Sequence, residues 1–174
     1  MSLFNEKKDG VVENGQTAAP VTPAAEEKKE PVTVVETPKN EIGFISSGTK
    51  IEGNITSTGH LVLNGEVTGS TVVDGNVVLN GVALGDIECS SLLIDKATSN
   101  SNITATNNVI VKAGTVVTGN VNCKNITVYG TVEGDIVAKG GVVLKSSAVV
   151  NGNIDAARIG IESGAKLKGA VNIK

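Results

Sequence analysis

The sequence has few of the residues that fill an ordinary globular core or build a charged binding surface. Among 174 residues there is no tryptophan, and Phe4, Phe44 and Tyr129 are the only aromatic side chains. A globular core of this size normally uses bulky rings to fill its interior, so we expect a narrow interior packed with Val, Ile, Leu and Ala. The formal net charge is −3, which excludes the basic field that attracts nucleic acid.

The sequence also has no long apolar segment. No apolar run approaches the roughly 18 residues that span a bilayer, and no apolar stretch of a secretory signal stands near the N-terminus. Two cysteines without a secretion signal are typical of a reducing cytosol. We therefore expect a cytoplasmic protein.

Proline is confined to one part of the chain. All four prolines lie in the first forty residues, together with the charged run Glu26–Glu30. Such a composition buries too little apolar surface to offset its ordering entropy, so residues 1–40 are predicted to be a disordered tail. The proline-free residues 41–174 are predicted to form one β-rich domain, because proline cannot donate to a strand ladder.

Glycine is abundant, at 21 residues, and it recurs at nearly regular intervals. The pattern apolar-x-Gly-Asn/Asp-apolar has clear copies at Gly53, Gly119, Gly134 and Gly152. Looser copies centre on Gly69, Gly85, Ser101 and Gly169. Successive centres are 16, 16, 16, 18, 15, 18 and 17 residues apart, which indicates a repeat array of eight units.

Aligned on the glycine, the units show alternating apolar columns. The residue two positions after the glycine is usually Ile or Val, and so is the residue two positions before it. A second alternating pair follows about eight residues later, as in Leu61/Leu63 and Val77/Leu79. Alternation with period two indicates short strands with one buried face. The predicted fold is an all-β, single-stranded β-helix (a β-solenoid) with three sides and about eight turns. Right-handed coiling is predicted, because steps of 15 to 17 residues violate the strict multiples of six typical of left-handed hexapeptide helices.

The two cysteines share one of these columns. Cys89 and Cys123 each lie four residues after their glycine position, with Ala105 in the turn between them. Two turns place their Cα atoms about 9.6 Å apart, beyond the roughly 7 Å limit for a disulfide. They are predicted to be buried packing residues.

The repeat array resembles the bactofilins, a family of polymer-forming bacterial cytoskeletal proteins. The segment Gly48–Ile55 looks like the opening turn of the family, and Gly130–Ile136 is similar to its mid-domain signature. The resemblance covers about residues 42–171. It departs from the family at the C-terminus, where a proline-bearing tail usually follows the core and this chain stops at Lys174.

The resemblance implies a three-sided β-helix that assembles end to end into nonpolar filaments without nucleotide or other cofactor. It implies a homopolymer that acts in cell shape or polar organisation, often as a scaffold for cell-wall enzymes. It does not imply an enzyme.

The ends of a β-helix expose unpaired backbone groups and the cross-section of an apolar column. The repeat continues to Ile173, so we expect no cap at the C-terminal end, and contacts between like ends would satisfy both surfaces. We predict that Phe44 and Ile45 at one end, and Leu167, Val171 and Ile173 at the other, make these contacts. The alternative for Phe44 is a plug folded over the first turn.

The residues predict a protein that is not an enzyme and that has no catalytic, cofactor-binding or metal-binding site. His60 is the only histidine and Arg158 the only arginine, whereas a hexapeptide-type acyltransferase or a polysaccharide lyase needs His, Arg or clustered carboxylates. The Asn and Asp residues after the glycines are typical of tight corners. A solenoid enzyme and a monomeric surface-binding solenoid remain the alternatives.

The first eight residues contain a candidate membrane-contact motif. Leu3 and Phe4 precede Lys7 and Lys8, and each lysine near anionic lipid contributes about 1 kcal/mol. A filament that presents many copies would bind the inner face of the cytoplasmic membrane by avidity. The alternative is an ordinary start of a disordered tail.

Overall fold

The computed structural model describes residues 41–174, so the predicted tail of residues 1–40, with Leu3, Phe4, Lys7 and Lys8, lies outside the described residues. Every regular element in the described part of the chain is a strand. The strands are β1 Ile42–Ile45, β2 Lys50–Glu52, β3 Ile55–Ser57, β4 His60–Leu63, β5 Glu66–Thr68, β6 Thr71–Leu79, β7 Val82–Leu84, β8 Ile87–Ile94, β9 Thr98–Asn100, β10 Ile103–Ala105, β11 Asn108–Val111, β12 Val116–Thr118, β13 Val121–Cys123, β14 Asn125–Val128, β15 Thr131–Glu133, β16 Ile136–Leu144, β17 Val149–Asn151, β18 Ile154–Ile161, β19 Lys166–Lys168 and β20 Val171–Ile173.

The strands stack in parallel on three faces. The first face is the eight-stranded sheet of β2, β5, β7, β9, β12, β15, β17 and β19. The second face begins with β3 and ends with β20, and the third begins with β1 and ends with the second half of β18. The long strands β6, β8, β16 and β18 each continue around the corner from the second face to the third. This arrangement confirms the predicted three-sided β-solenoid of about eight turns. Its right-handed coiling stays a prediction.

The interior is filled by the apolar columns of the repeat. The last inward position of the third face is fully buried in six successive turns, and each of these residues has 0% exposure. They are Leu63, Leu79, Ile94, Val111, Val128 and Leu144. Parallel in-register pairing places each side chain on its counterpart one turn away, so a column in the sequence becomes a continuous apolar row.

The irregular spacing of the repeat comes from the corners. The corner between the first and second faces always has two residues. The corner between the second and third faces has one or two residues, and the corner between the third and first faces has two to four. The lengths of the paired segments stay constant, so unit lengths from 15 to 18 residues fit one stack without disturbing the columns.

The corner between the first and second faces is built on glycine in all turns but one. Seven of its eight leading positions are glycines with φ between 129° and 157°, a region that other L-residues rarely adopt. The exception is Ser101, which is buried and hydrogen-bonds through its hydroxyl to Ser99. This pair satisfies two polar groups inside a mostly apolar interior.

The cysteines occupy the predicted column. Ala105 pairs with Cys89 on one side, and Cys123 pairs with Ala138 further along the same row. Both thiols are free and buried. Burial raises the pKa of both thiols to about 12, and the charge of Glu88 adds to the effect at Cys89. Since the thiolate is the reactive form, neither side chain reacts readily at neutral pH.

Candidate assembly surfaces at the two ends of the solenoid

The N-terminal end of the solenoid presents three strand edges. Strands β1, β2 and β3 each pair with a strand of the following turn and with no other strand of residues 41–174. Half of their backbone groups therefore point away from any partner, as at the edge of a sheet. Ile45, Ile51 and Ile55 lie behind these edges, half-buried against the core. Together they form an apolar cross-section that a second solenoid end could cover.

Phe44 lies beside this cross-section, on the outside of the third face. It pairs with Val62, and its neighbours Gly43 and Ile45 occupy the inward columns of Leu61 and Leu63. The Phe44 side chain is 65% exposed. The ring is thus placed at the rim of the N-terminal end, and its contribution to an end-to-end contact stays a prediction.

The C-terminal end presents the matching edges. Within the described residues, β19 and β20 each pair with only the preceding turn, as does the second half of β18. Val171 is 40% exposed and Ile173 is 58% exposed, although both stand in columns that are buried in the interior turns. Leu167 is half-buried against the core. The three residues predicted from the sequence therefore share one surface.

Sequence reasoning missed part of each end. Ile161 is 52% exposed at the C-terminal end, and Ile159 beside it is half-buried. At the N-terminal end, Ile51 and Ile55 stand closer to the axis than Phe44. The aligned columns of the sequence could have identified these four residues, because the first and last members of any column must lie at an end of the stack.

Ion pairs partly neutralise both ends. Lys50 lies 3.2 Å from Glu52 and 3.7 Å from Glu66 at the N-terminal end. At the other end, the Lys174 ammonium lies 2.7 Å from Asp155. Pairs this exposed contribute little to stability, but they lower the charge density around each apolar cross-section.

The Asn and Asp column forms a ladder along the first corner. The Asp135 side chain accepts a hydrogen bond from the Asn153 N–H at 2.8 Å, and Asn153 in turn accepts one from the Ala170 N–H at 3.2 Å. Asn102 donates to Asp86 at 3.0 Å. Asn and Asp in tight corners commonly bond their own backbone, but these side chains bond the neighbouring turn instead. The glycines take up the left-handed geometry, so Asn and Asp are free to link successive corners.

His60 has a structural partner of its own. It lies in β4 on the third face, and its Nδ1 accepts a hydrogen bond from the Asn76 N–H at 3.0 Å. Residues 41–174 include no group of three His, Cys, Asp or Glu side chains arranged to hold a metal ion. No helix suited to crossing a membrane occurs among these residues.

Comparison with known proteins identifies the architecture at the family level. Residues 84–172, just over half of the chain, match the family described as "Bactofilin: Polymer-forming cytoskeletal". No curated protein and no solved structure matches the chain.

Proposed function

Because the chain belongs to the bactofilin family, we propose that its solenoids join end to end into filaments without nucleotide. Membership makes the chain a polymer-forming cytoskeletal protein, and the way in which its subunits join is our proposal. The observation that carries it is the exposure of column residues at the C-terminal end. Val171 and Ile173 are both exposed there, whereas their counterparts Ile154 and Ala156 one turn earlier are buried.

End-to-end contact would complete both the backbone and the core of the last turn. The free edges of β19 and β20 would gain hydrogen-bond partners, and the apolar cross-section would leave water. Contacts between like ends are isologous, and alternation of the two kinds of contact gives a filament without polarity. Head-to-tail contact would also cover the ends, but it would make a polar filament.

Independence from nucleotide agrees with the architecture. Phosphate-binding loops commonly place the phosphates at the N-terminus of a helix, and residues 41–174 form no helix. We propose accordingly that assembly is driven by contact between the ends alone.

The cellular role that we propose is a scaffold. A filament built in this way would act on the cytoplasmic side of the membrane in cell shape or polar organisation, and would hold cell-wall enzymes in place. The solenoid-enzyme alternative is less well supported, since the family is a structural one and the Nδ1 of His60 is engaged by Asn76.

Electron microscopy and pelleting of the purified chain test the proposed assembly. We expect filaments in buffer without nucleotide, and the same amount of pelleted protein after ATP or GTP is added. Particles of single-solenoid size under all of these conditions would contradict the proposal.

Membrane contact through Leu3, Phe4, Lys7 and Lys8 is a separate part of the proposal. Deletion of residues 2–8 should reduce co-sedimentation of filaments with anionic vesicles at least tenfold, because each filament loses many weak contacts at once. The matched control is the same deletion with neutral vesicles, to which neither protein should bind strongly. Unchanged binding of the deleted protein to anionic vesicles would rule out the motif.

A further inference from the structure

The charges of the solenoid are divided between its two halves. Residues 41–95 carry seven carboxylates and one lysine, a net charge of −6, whereas residues 96–174 carry nine cationic side chains and four carboxylates, a net charge of +5. The boundary falls between β8 and β11, the fourth and fifth strands of the third face. The solenoid is therefore an electric dipole along its axis, and two solenoids side by side attract each other when they are antiparallel.

The third face carries a row of apolar side chains on its outer surface. The row takes one residue from each turn, and the strand register places these residues above one another. Thr127 and Gly160 are its two non-hydrocarbon members. The other six are Phe44, Val62, Val78, Leu93, Ile110 and Val143.

No comparable row occurs in the middle of the second face. There the outward position is apolar only at Val72 and Val137, and the remaining turns carry polar or charged side chains. A contiguous apolar strip on a protein surface commonly marks an interaction site. The third face is thus better suited to a partner than the second face.

Unpaired charges line one edge of this strip, at the corner between the second and third faces. Glu41 and Asp74 lie toward the N-terminal end, and Lys124, Lys139 and Arg158 lie toward the C-terminal end. All five are exposed, and no ion pair joins any of them within residues 41–174. On the opposite edge most charges are paired within the solenoid, Asp95 with Lys112 and Lys145 with Glu162, and Lys96 is exposed without an ion pair in residues 41–174.

We propose that the third face binds the third face of a second copy, in antiparallel orientation. The two-fold axis runs along the strand direction at mid-height, between the fourth and fifth turns. Rotation about this axis places the unpaired edge of one copy against the unpaired edge of the other. It also places the first turn of one copy against the last turn of the other. Leu93 then lies opposite Ile110, and Val62 lies opposite Val143. On the edge, Asp74 lies opposite Lys124, and Glu41 lies opposite Arg158.

A parallel pair of the same faces is disfavoured by charge. It would bring the two acidic halves together and the two basic halves together along their whole length. Contacts between like ends, in contrast, bring together only the end turns, which the ion pairs of Lys50 and Lys174 partly neutralise. It would also place the unpaired edge over the paired edge, so that Lys139 faces Lys145. Antiparallel pairing avoids both sources of repulsion.

The size of the face determines how strong the contact is. Eight strands spaced by about 4.8 Å, with four residues each, give about 500 Å² per copy. The total of about 1,000 Å² is at the lower limit for a specific interface. Single solenoids would therefore pair weakly, and filaments that present the face repeatedly would pair strongly. Strong lateral pairing therefore rests on the proposed end-to-end assembly, whereas the arrangement of the two faces does not.

Engineered cysteines test the register. Val78 and Thr127 belong to the apolar row and lie opposite each other in the proposed pair, three turns apart within one solenoid. The variant V78C/T127C is treated with a bis-maleimide too short to span three strand spacings, about 14 Å. Cys89 and Cys123 are buried and stay unreacted. We expect a cross-linked species of twice the subunit mass, and no such species from V78C or T127C alone.

Charge reversal provides the matched control. In the V78C/T127C background, D74K places a lysine opposite Lys124 and should lower the yield of cross-linked dimer severalfold, and D74K with K124D should restore it. Electron microscopy of the same samples records end-to-end assembly separately. Filaments without the cross-link would overturn lateral pairing and leave the proposed function intact. The cross-link without filaments would overturn the proposed end-to-end assembly and support lateral pairing. Equal yields from D74K and its double-charge-swap variant would also overturn the proposed register.

Discussion

The substitution V171R should convert filaments into dimers while leaving the solenoid folded. Val171 is in the last turn and is already 40% exposed, so an arginine there can extend into water in a free subunit. In an end-to-end contact the same charge would be buried without a partner, at a cost of about 3–5 kcal/mol. That corresponds to more than a hundredfold loss in association constant. Contacts at the N-terminal end would persist and hold two subunits together.

The complementary substitution I51R acts at the other end. Ile51 is half-buried in the N-terminal cross-section, so an arginine there should block that end and leave dimers joined through their C-terminal ends. A mixture of V171R and I51R should contain no new species, because unlike ends do not meet in an isologous filament. Sedimentation velocity in high salt, which screens lateral pairing, measures these masses.

Head-to-tail assembly gives a different pattern. Each variant would then be monomeric alone, and the mixture would form heterodimers. V137R is the matched control, since Val137 is 43% exposed on the second face and away from both ends. It should form filaments like the unmodified chain. Filaments of V171R would show that the C-terminal contact is wrong.

The substitution G134A should destabilise the solenoid by about 2–4 kcal/mol, through backbone strain and overpacking. Gly134 has a φ of +146°, and an added Cβ would collide with the carbonyl group of Gly119, whose carbon lies 2.7 Å away. Neither backbone can move aside easily. The Gly119 N–H donates to Glu133 O at 2.9 Å, and the Gly134 N–H donates to Asn151 O at 3.0 Å.

The same chemical change at Gly160 is the control. An added Cβ there meets no atom within 4 Å, and its φ lies outside the left-handed region, so G160A should change stability by less than about 0.5 kcal/mol. Thermal unfolding followed by circular dichroism, in the V171R background to limit assembly, compares the two. Equal melting temperatures would mean that the stacked corner tolerates a side chain.

The interior of this protein could be predicted from the sequence because the fold repeats itself. In a parallel in-register stack, the neighbours of a residue are its counterparts one unit away, so aligned columns are also spatial rows. Cys89, Ala105 and Cys123 were placed in one column by counting from the glycines, and the strand register confirms that placement. Apolar members of a column are buried in every complete turn, as Leu63 and Leu144 illustrate.

The ends were predicted only in part. Leu167, Val171 and Ile173 follow from the last unit, but the exposure of Ile161 depends on which face each half of β18 occupies. Strand β18 passes from the second face to the third through a corner of one residue, Ala157. The alternation of apolar and polar residues does not show where so short a corner lies. The fold decides it, because the preceding turn provides the register.

The sequence by itself determined the period, the buried columns and the corner glycines, because these depend on side-chain alternation and on φ preferences within a few residues. Only the tertiary structure decided which outward side chains become neighbours. Leu93 and Ile110 become neighbours because the corner after β8 has three residues and the corner after β10 has two. Corner lengths differ from turn to turn, so the number of residues between two stacked neighbours is known only from the folded stack. For the same reason, the unpaired charges from Glu41 to Arg158 form one edge only in the folded stack.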